Sequence, residues 1–242
     1  QLAVRGGEAQ RQYFAGQPKE INGMRLTGMR VGTDAEYIAV VEALLARGAN
    51  VEVANKKGYT ALHDAAESGQ AGPVRLLLEK GANMNARALD ERTPLHGAAA
   101  SGSTETVALL LERGAEIDAV MQNQPSKFTP LLAAVATGKT ETLKLLIKRG
   151  ANVNVRAFGK TTALHMAAQS NQAGTAMVLL DAGIKVDARD TDRVTPLMVA
   201  ASAGAKEMAE FLIEHGADVN AKAVRDVTAL KAARGARHGD IA

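Results

Sequence analysis

The chain has 242 residues, 46% hydrophobic and 23% charged, the balance of an ordinary folded protein. Its 29 basic and 26 acidic residues leave a net charge of only +3, with no long run of one sign, so charge does not point to nucleic acid as the main partner. No apolar stretch nears the roughly 18 residues of a membrane span, and the absence of cysteine excludes disulfides, zinc–thiolate sites and a cysteine nucleophile.

With 3% aromatic residues and no tryptophan, the core cannot be built on large rings. The lack of cysteine suits a reducing or an oxidising compartment alike. The chain opens at Gln1 rather than Met, so a cytoplasmic location and a periplasmic or secreted one after signal removal both stay open.

In chain order, residues 1–26 carry "LAVRGGEAQ" and read as a cap or the remnant of a repeat. Residues 27–59 read as a degenerate unit. Its opening "TGMRVGT" lacks an alanine pair, Tyr37 and Val41 fall in its helices, and "EALLARGANVE" (42–52) forms a second helix and turn. From Thr60 a repeat is plain. Thr60, Thr93, Thr129, Thr162, Thr195 and Thr228 each precede a Pro-Leu or Ala-Leu pair, at spacings of 33, 36, 33, 33 and 33. A fixed period of roughly 20–50 residues is the mark of a stacked repeat protein. Residues 60–227 hold five such units. Residues 228–242 begin a sixth and stop where its second helix should start, so a native C-terminal part is expected to be missing, because terminal repeats need a polar outer face.

The unit opening at Thr93 shows the local logic. The Thr93 hydroxyl can cap a helix, and Pro94 suits the first helical position, where no amide donor is lost. Leu95, Ala98 and Ala99 make one apolar stripe at i, i+3 and i+4. Gly102 breaks the chain. In the second helix Glu105 complements the dipole of the first turn, and Val107, Leu110 and Leu111 are expected to be its buried face. Arg113 closes the last turn, and Gly114 supplies a left-handed stop.

The matching segments are "TALHDAA", "TPLHGAA", "TPLLAAV", "TALHMAA", "TPLMVAA" and "TALKAA", followed by second-helix ends such as "LLLEKGANMN", "LLLERGAEID" and "FLIEHGADVN". These residues resemble the ankyrin repeat, with its 33-residue length and T-P-L-H-x-A signature. The resemblance implies an all-α solenoid of about seven stacked helix-turn-helix units with β-hairpin-like turns. It also implies a non-catalytic module that binds another protein through its turn tips and concave face, with no cofactor.

Residues that could carry chemistry have simpler readings. His63, His96 and His165 occupy one place in three units, where each imidazole can bond to the threonine hydroxyl or to backbone of the adjacent unit. Leu132 and Met198 stand there in two others. "HDAAES" holds His, Asp, Glu and Ser on one short helix, but Asp64 is adjacent to His63 and points elsewhere. There is no G-x-S-x-G elbow and no phosphate-binding G-x-x-x-x-G-K-[ST]. Asp90 and Glu91 belong to a turn.

The unrepeated residues are therefore the candidates for binding. Tyr59, Phe128 and Phe158, three of seven aromatics, fall in turns, where a ring is poorly placed for burial and well placed as an interface anchor. The competing reading has each ring packing on a neighbouring tip. Arg87, Arg156, Arg189 and Lys222 share one place in four turns, with Val120 in the fifth. They would stack as a basic ladder beside Arg92, Lys56 and Lys57, either steering an acidic partner or pairing with Asp90, Asp190 and Asp192. The three extra residues within 120–128 give one tip more length, with Met121 and Phe128 as its apolar edge. Small residues such as Ala100, Ser101, Ser202 and Ala203 floor the inner helices.

The expected partner-binding set is Lys56, Lys57, Tyr59, Arg87, Arg92, Met121, Phe128, Arg156, Phe158 and Arg189. The expected partner is a protein with an acidic or mixed surface, met by a monomer without a membrane. Two alternatives keep the fold: an inhibitor or immunity-type protein that covers an enzyme's active site, and the targeting part of a larger enzyme or effector.

Overall fold

A computed structural model describes residues 33–121 and 127–236, together with the backbone of two short strands near the N-terminus. The strands, β1 (Lys19–Ile21) and β2 (Met24–Leu26), pair antiparallel with Glu20 opposite Arg25. This hairpin lies within residues 1–26, which the sequence left open as a cap or the remnant of a repeat. The expected opening of the degenerate unit at Thr27 lies outside the described residues.

The helices follow in two alternating sets. The first-helix row is α2 (Ala61–Glu67), α4 (Pro94–Ser101), α6 (Pro130–Ala136), α8 (Ala163–Gln169), α10 (Pro196–Ala203) and α12 (Ala229–Gly235). The second-helix row is α1 (Asp34–Leu45), α3 (Ala71–Glu79), α5 (Thr104–Glu112), α7 (Thr140–Lys148), α9 (Ala173–Asp181) and α11 (Lys206–Glu214). Within each row every helix packs on the next, and each first helix from α2 to α10 packs on the second helix that follows it. The result is two layers of helices running the length of the stack. None of the described helices is long and apolar enough to cross a membrane.

Apart from α1, these helices are seven to nine residues long, too short to be stable in isolation, so stacking must hold them. The packing text repeats for this reason. Leu62, Leu95, Leu131, Leu164 and Leu197 are at most 2% exposed in successive first helices, and Leu77, Leu110, Leu146, Leu179 and Leu212 at most 1% in successive second helices. Ala65, Ala98, Ala134, Ala167, Ala200 and Ala233 are fully buried between first helices, where a larger side chain would hold the rows apart. Leu230, in α12 at the place of Leu197, is 44% exposed because no described helix covers it.

Caps and turns obey the sequence. Thr93 caps α4 with Pro94 at the first helical position, and Gly102 ends it at φ +88°. Gly114 stops α5 at φ +93°. The buried face of α5 differs by one residue from the expected one: Leu109 joins Val107 and Leu110 in the core, while Leu111 is only partly covered. The segments after the second helices explain a further repeated word. The last residue of "GANVE", "GANMN" and "GAEID" is a side-chain acceptor for the following layer. Glu52 accepts from the Asn83 N–H (2.8 Å), Asn85 from Glu116 (2.9 Å) and Asp118 from Asn152 (2.9 Å).

Candidate functional site

The recurring histidines are part of the scaffold. In each, Nδ1 accepts from the backbone N–H of the capping threonine, at 3.2 Å for His63 and His96 and 3.3 Å for His165. The threonine hydroxyl lies 2.7–3.0 Å from the same nitrogen. Nε2 meets a carbonyl of the next layer: Arg92 at 3.1 Å, Phe128 at 3.2 Å and Val194 at 3.0 Å. A carbonyl can only accept and an amide can only donate, so each ring is held as the neutral tautomer protonated at Nε2. Burial pushes all three pKa values down, that of His96 to about 4. Both ring nitrogens are committed, and every one of these rings is 2% exposed.

Between successive layers the chain forms a hairpin tip just before each capping threonine. The tips span residues 55–59, 88–92, 121–128, 157–161, 190–194 and 223–227, and are numbered one to six. Each is closed by a backbone bond from its first residue's N–H to its last residue's carbonyl, as from Ala88 to Arg92 (3.0 Å) and from Ala157 to Thr161 (2.8 Å). Lateral bonds join tips. Leu89 N–H donates to the Lys57 carbonyl (2.9 Å), Thr191 to Gly159 (2.7 Å) and Val224 to Asp192 (2.9 Å). Tips one and two therefore form one ledge, and tips four, five and six form another.

The first ledge is satisfied internally. Tyr59 donates its hydroxyl to Asp90 Oδ2 (2.8 Å), and its ring lies 5.3 Å from that of His63. Burial raises the Tyr59 pKa, and the bond to Asp90 raises it further. Asp90 also pairs with Arg92 Nε (3.3 Å). Arg87 bonds to Glu91 (3.3 Å), Glu116 (3.2 Å) and the Val120 carbonyl (2.9 Å). The notch among Tyr59, His63, Glu67, Arg92, Thr93 and Gly97 has a cavity volume of only about 10 Å³, far below the roughly 300–1,000 Å³ of small-molecule sites.

At the third tip, Met121 is 4% exposed and Phe128 packs partly against the core. Neither forms the exposed apolar edge expected of them; both stand at the base of the hairpin, where Met121 N–H bonds to the Phe128 carbonyl (3.2 Å) and the side chains face the core. Residues 122–126, where the extra length falls, lie outside the described residues.

The basic ladder exists, but as a staple. Arg156 donates to the carbonyl of Arg189 (3.1 Å) and Arg189 to that of Lys222 (3.2 Å), one layer further on in each case, as Arg87 does to Val120. Lys222 pairs with Asp226 (3.8 Å). Of the aspartates expected to neutralise the ladder, Asp90 pairs with Arg92, while Asp190 Oδ1 accepts from the backbone of Asp192 (2.9 Å) and Val194 (2.8 Å) and holds tip five in shape.

The second ledge is open. Phe158 is 67% exposed and Val224 49%. Beside them Lys160, Arg193 and Arg225 are exposed, and none has an ion pair or side-chain hydrogen bond among the described residues. All three have positive φ, at 59°, 62° and 61°, a region costly for any residue with a Cβ. Of the expected set, Phe158 is the one ring left open to solvent. Lys56 and Lys57 are exposed on tip one. Lys160, Arg193, Arg225 and Val224 were absent from that set. A signal existed for two of them: the place two before each capping threonine holds Gly58 in tip one, but Lys160 and Arg193 in tips four and five.

A family model described as ankyrin repeats (3 copies) matches residues 31–121, 87–157, 131–223 and 185–242, together nearly the whole chain. The chain belongs to the ankyrin-repeat family. Among solved structures, the crystal structure of the human ASB11 ankyrin repeat domain is similar at 28% identity with a TM-score of 0.73, over 83% of this chain and 89% of that one. No curated protein matches the chain. Ankyrin repeats are general protein–protein interaction modules and typically non-catalytic. The family thus names the kind of ligand, and the individual tips must name the face.

Proposed function

We propose that this ankyrin-repeat chain binds a partner protein through the ledge of tips four to six and the adjoining floor of the first helices. Phe158 carries the reading. A phenylalanine two-thirds exposed on a backbone-bonded hairpin contributes little to folding and suits an interface anchor. The floor beside the tips is made of small and mild exposed residues, Ala136, Thr137, Gln169, Ser170 and Ser202, which admit a bulky surface more readily than they enclose a small molecule. Inhibition of an enzyme and tethering of a partner would use the same face, and the partner's identity separates them.

The test is affinity capture from native lysate with the parent chain, Phe158→Ala and Tyr59→Phe. A protein captured by the parent and by Tyr59→Phe, and lost with Phe158→Ala, supports this face. Capture that survives Phe158→Ala overturns it.

A further inference from the structure

We infer that the ledge of tips four to six docks an acidic, extended segment of the partner protein. This rests on the proposed binding face and specifies its ligand.

The cations carry the argument. Arg87, Arg92, Arg156, Arg189 and Lys222 are each engaged with a carboxylate or a carbonyl. Lys160, Arg193 and Arg225 are exposed with no such partner among the described residues. The acidic groups near them are largely spoken for. Asp190 takes backbone N–H groups, and the exposed carboxylates of this ledge are Asp226, paired with Lys222, and Asp192, fewer than its cations. The result is a local excess of positive charge on a chain whose net charge is only +3.

The ledge is also preorganised. Two backbone bonds, Thr191 to Gly159 and Val224 to Asp192, and two arginine staples, Arg156 to the Arg189 carbonyl and Arg189 to the Lys222 carbonyl, tie the three tips together. The backbone carrying the cations is therefore fixed before binding, so only their side chains, and not the hairpins, lose freedom when a partner docks. Packed helices lie about 8–10 Å apart, so each layer of the ledge brings one such cation at about that interval, with Lys160 and Arg193 at equivalent places and Arg225 one residue earlier in its tip. An extended segment in the polyproline-II conformation rises about 3.1 Å per residue with three residues per turn, so carboxylates at every third residue line one side and keep step with the layers. Arginine and lysine bind carboxylates through charge-assisted hydrogen bonds. Phe158 and Val224 offer apolar contact along the same track. A nucleic-acid strand fits less well, because Asp192 faces the same ledge and a single ring offers little stacking.

The probes are two fluorescein-labelled twelve-residue peptides of one composition, Glu, Ala, Ser and a single Leu. One has Glu at every third position and the other has the glutamates in a consecutive run. A twelve-nucleotide oligothymidine is the third probe, and all are read by fluorescence anisotropy. The spaced peptide is expected to bind several-fold tighter than the clustered one. The triple variant Lys160→Gln, Arg193→Gln, Arg225→Gln should weaken it about tenfold, from three exposed ion pairs at about twofold each. Lys56→Gln with Lys57→Gln should change it less than about twofold, as expected for charges on the other ledge. Equal binding of the two peptides, indifference to the triple variant, or tighter binding of the oligothymidine overturns the inference. If the peptide results overturn it while Phe158→Ala still loses the captured protein, the acidic segment is wrong and the binding face stands. If capture is independent of Phe158, the face falls and this inference with it.

Discussion

Tips one and two and tips four to six share one hairpin design, yet their charged residues do different work. In the first ledge Tyr59, Asp90, Arg92, Arg87, Glu91 and Glu116 satisfy one another. In the second, arginines at the place of Arg87 are used up on carbonyls, and a second set of cations stands free. An arginine on a repeat surface is thus not a binding residue by type or by register. Its role depends on whether the next layer offers it an acceptor. The same holds for rings: Tyr59 finds Asp90, while Phe158 has no polar group to give and no wall to cover it.

The largest expected effect lies in what the two ledges share. His96→Ala removes the link from Thr93 to the Phe128 carbonyl and leaves buried polar groups unpaired, so it should cost about 2–4 kcal/mol in urea denaturation. His165→Ala should cost a similar amount, which shows that the lock serves both ledges. A markedly smaller loss at His165 would mean that the second ledge is held by its arginine staples alone.

The same histidines make stability depend on pH. The folded rings are neutral with pKa values pushed below the ordinary value, to about 4 for His96. As pH falls below the unfolded value of about 6.5, the unfolded chain takes up protons that the folded rings refuse. Stability is therefore full above pH 6.5 and declines toward pH 4, where His96 also protonates in the fold. His96→Leu, which copies the residue at the equivalent Leu132, should flatten this part of a pH–stability curve. An unchanged slope would assign the decline to carboxylates.

Gly58→Ala should break the closed ledge at one point. Gly58 has φ +79°, and a Cβ there would stand 2.8 Å from the Leu89 nitrogen, whose N–H bonds the Lys57 carbonyl. The expected loss is about 2 kcal/mol. Gly159→Ala in the open ledge, where a Cβ meets nothing nearer than 3.9 Å, should cost only the backbone strain, roughly 1 kcal/mol. Equal losses would show that the lateral bond contributes little.

Asp90→Ala should cost about 1–2 kcal/mol by stranding the Tyr59 hydroxyl and Arg92, whereas Lys160→Gln should stay within about 0.5 kcal/mol. Thermal unfolding of the two variants compares a satisfied charge with a free one directly. The smallest effect has the opposite sign. Lys160→Gly or Arg193→Gly relieves about 1–2 kcal/mol of left-handed strain against a chain-entropy cost of about 0.5–1 kcal/mol, a net gain near 0.5 kcal/mol. If the gain in melting temperature comes with weaker partner binding, the strain is retained for recognition.

Much of the fold was legible because stacking imposes one rule on every layer. The threonine caps, the Leu and Ala positions and the helix-ending glycines all follow from local preference and a 33-residue period. The small miss at Leu111, where Leu109 is buried instead, reflects how far around a short helix the next layer reaches. The N-terminal hairpin had no period to announce it. The candidate face was legible only in part. Phe158 was found by being aromatic in a turn, and Met121 was misplaced because apolar character alone cannot say whether a loop residue folds inward.

The sequence by itself determined the repeat, its helix pairs and the structural place of the recurring histidines, because each depends on contacts that recur at fixed spacing. Only the tertiary structure decided which tip residues are spent and which are free. Arg87 and Arg156 hold equivalent places, and their acceptors, the Val120 and Arg189 carbonyls, lie 33 residues further along the chain. Lys160, Arg193 and Arg225 have no acceptor within reach among the described residues, and that follows from the geometry of neighbouring layers rather than from residue type.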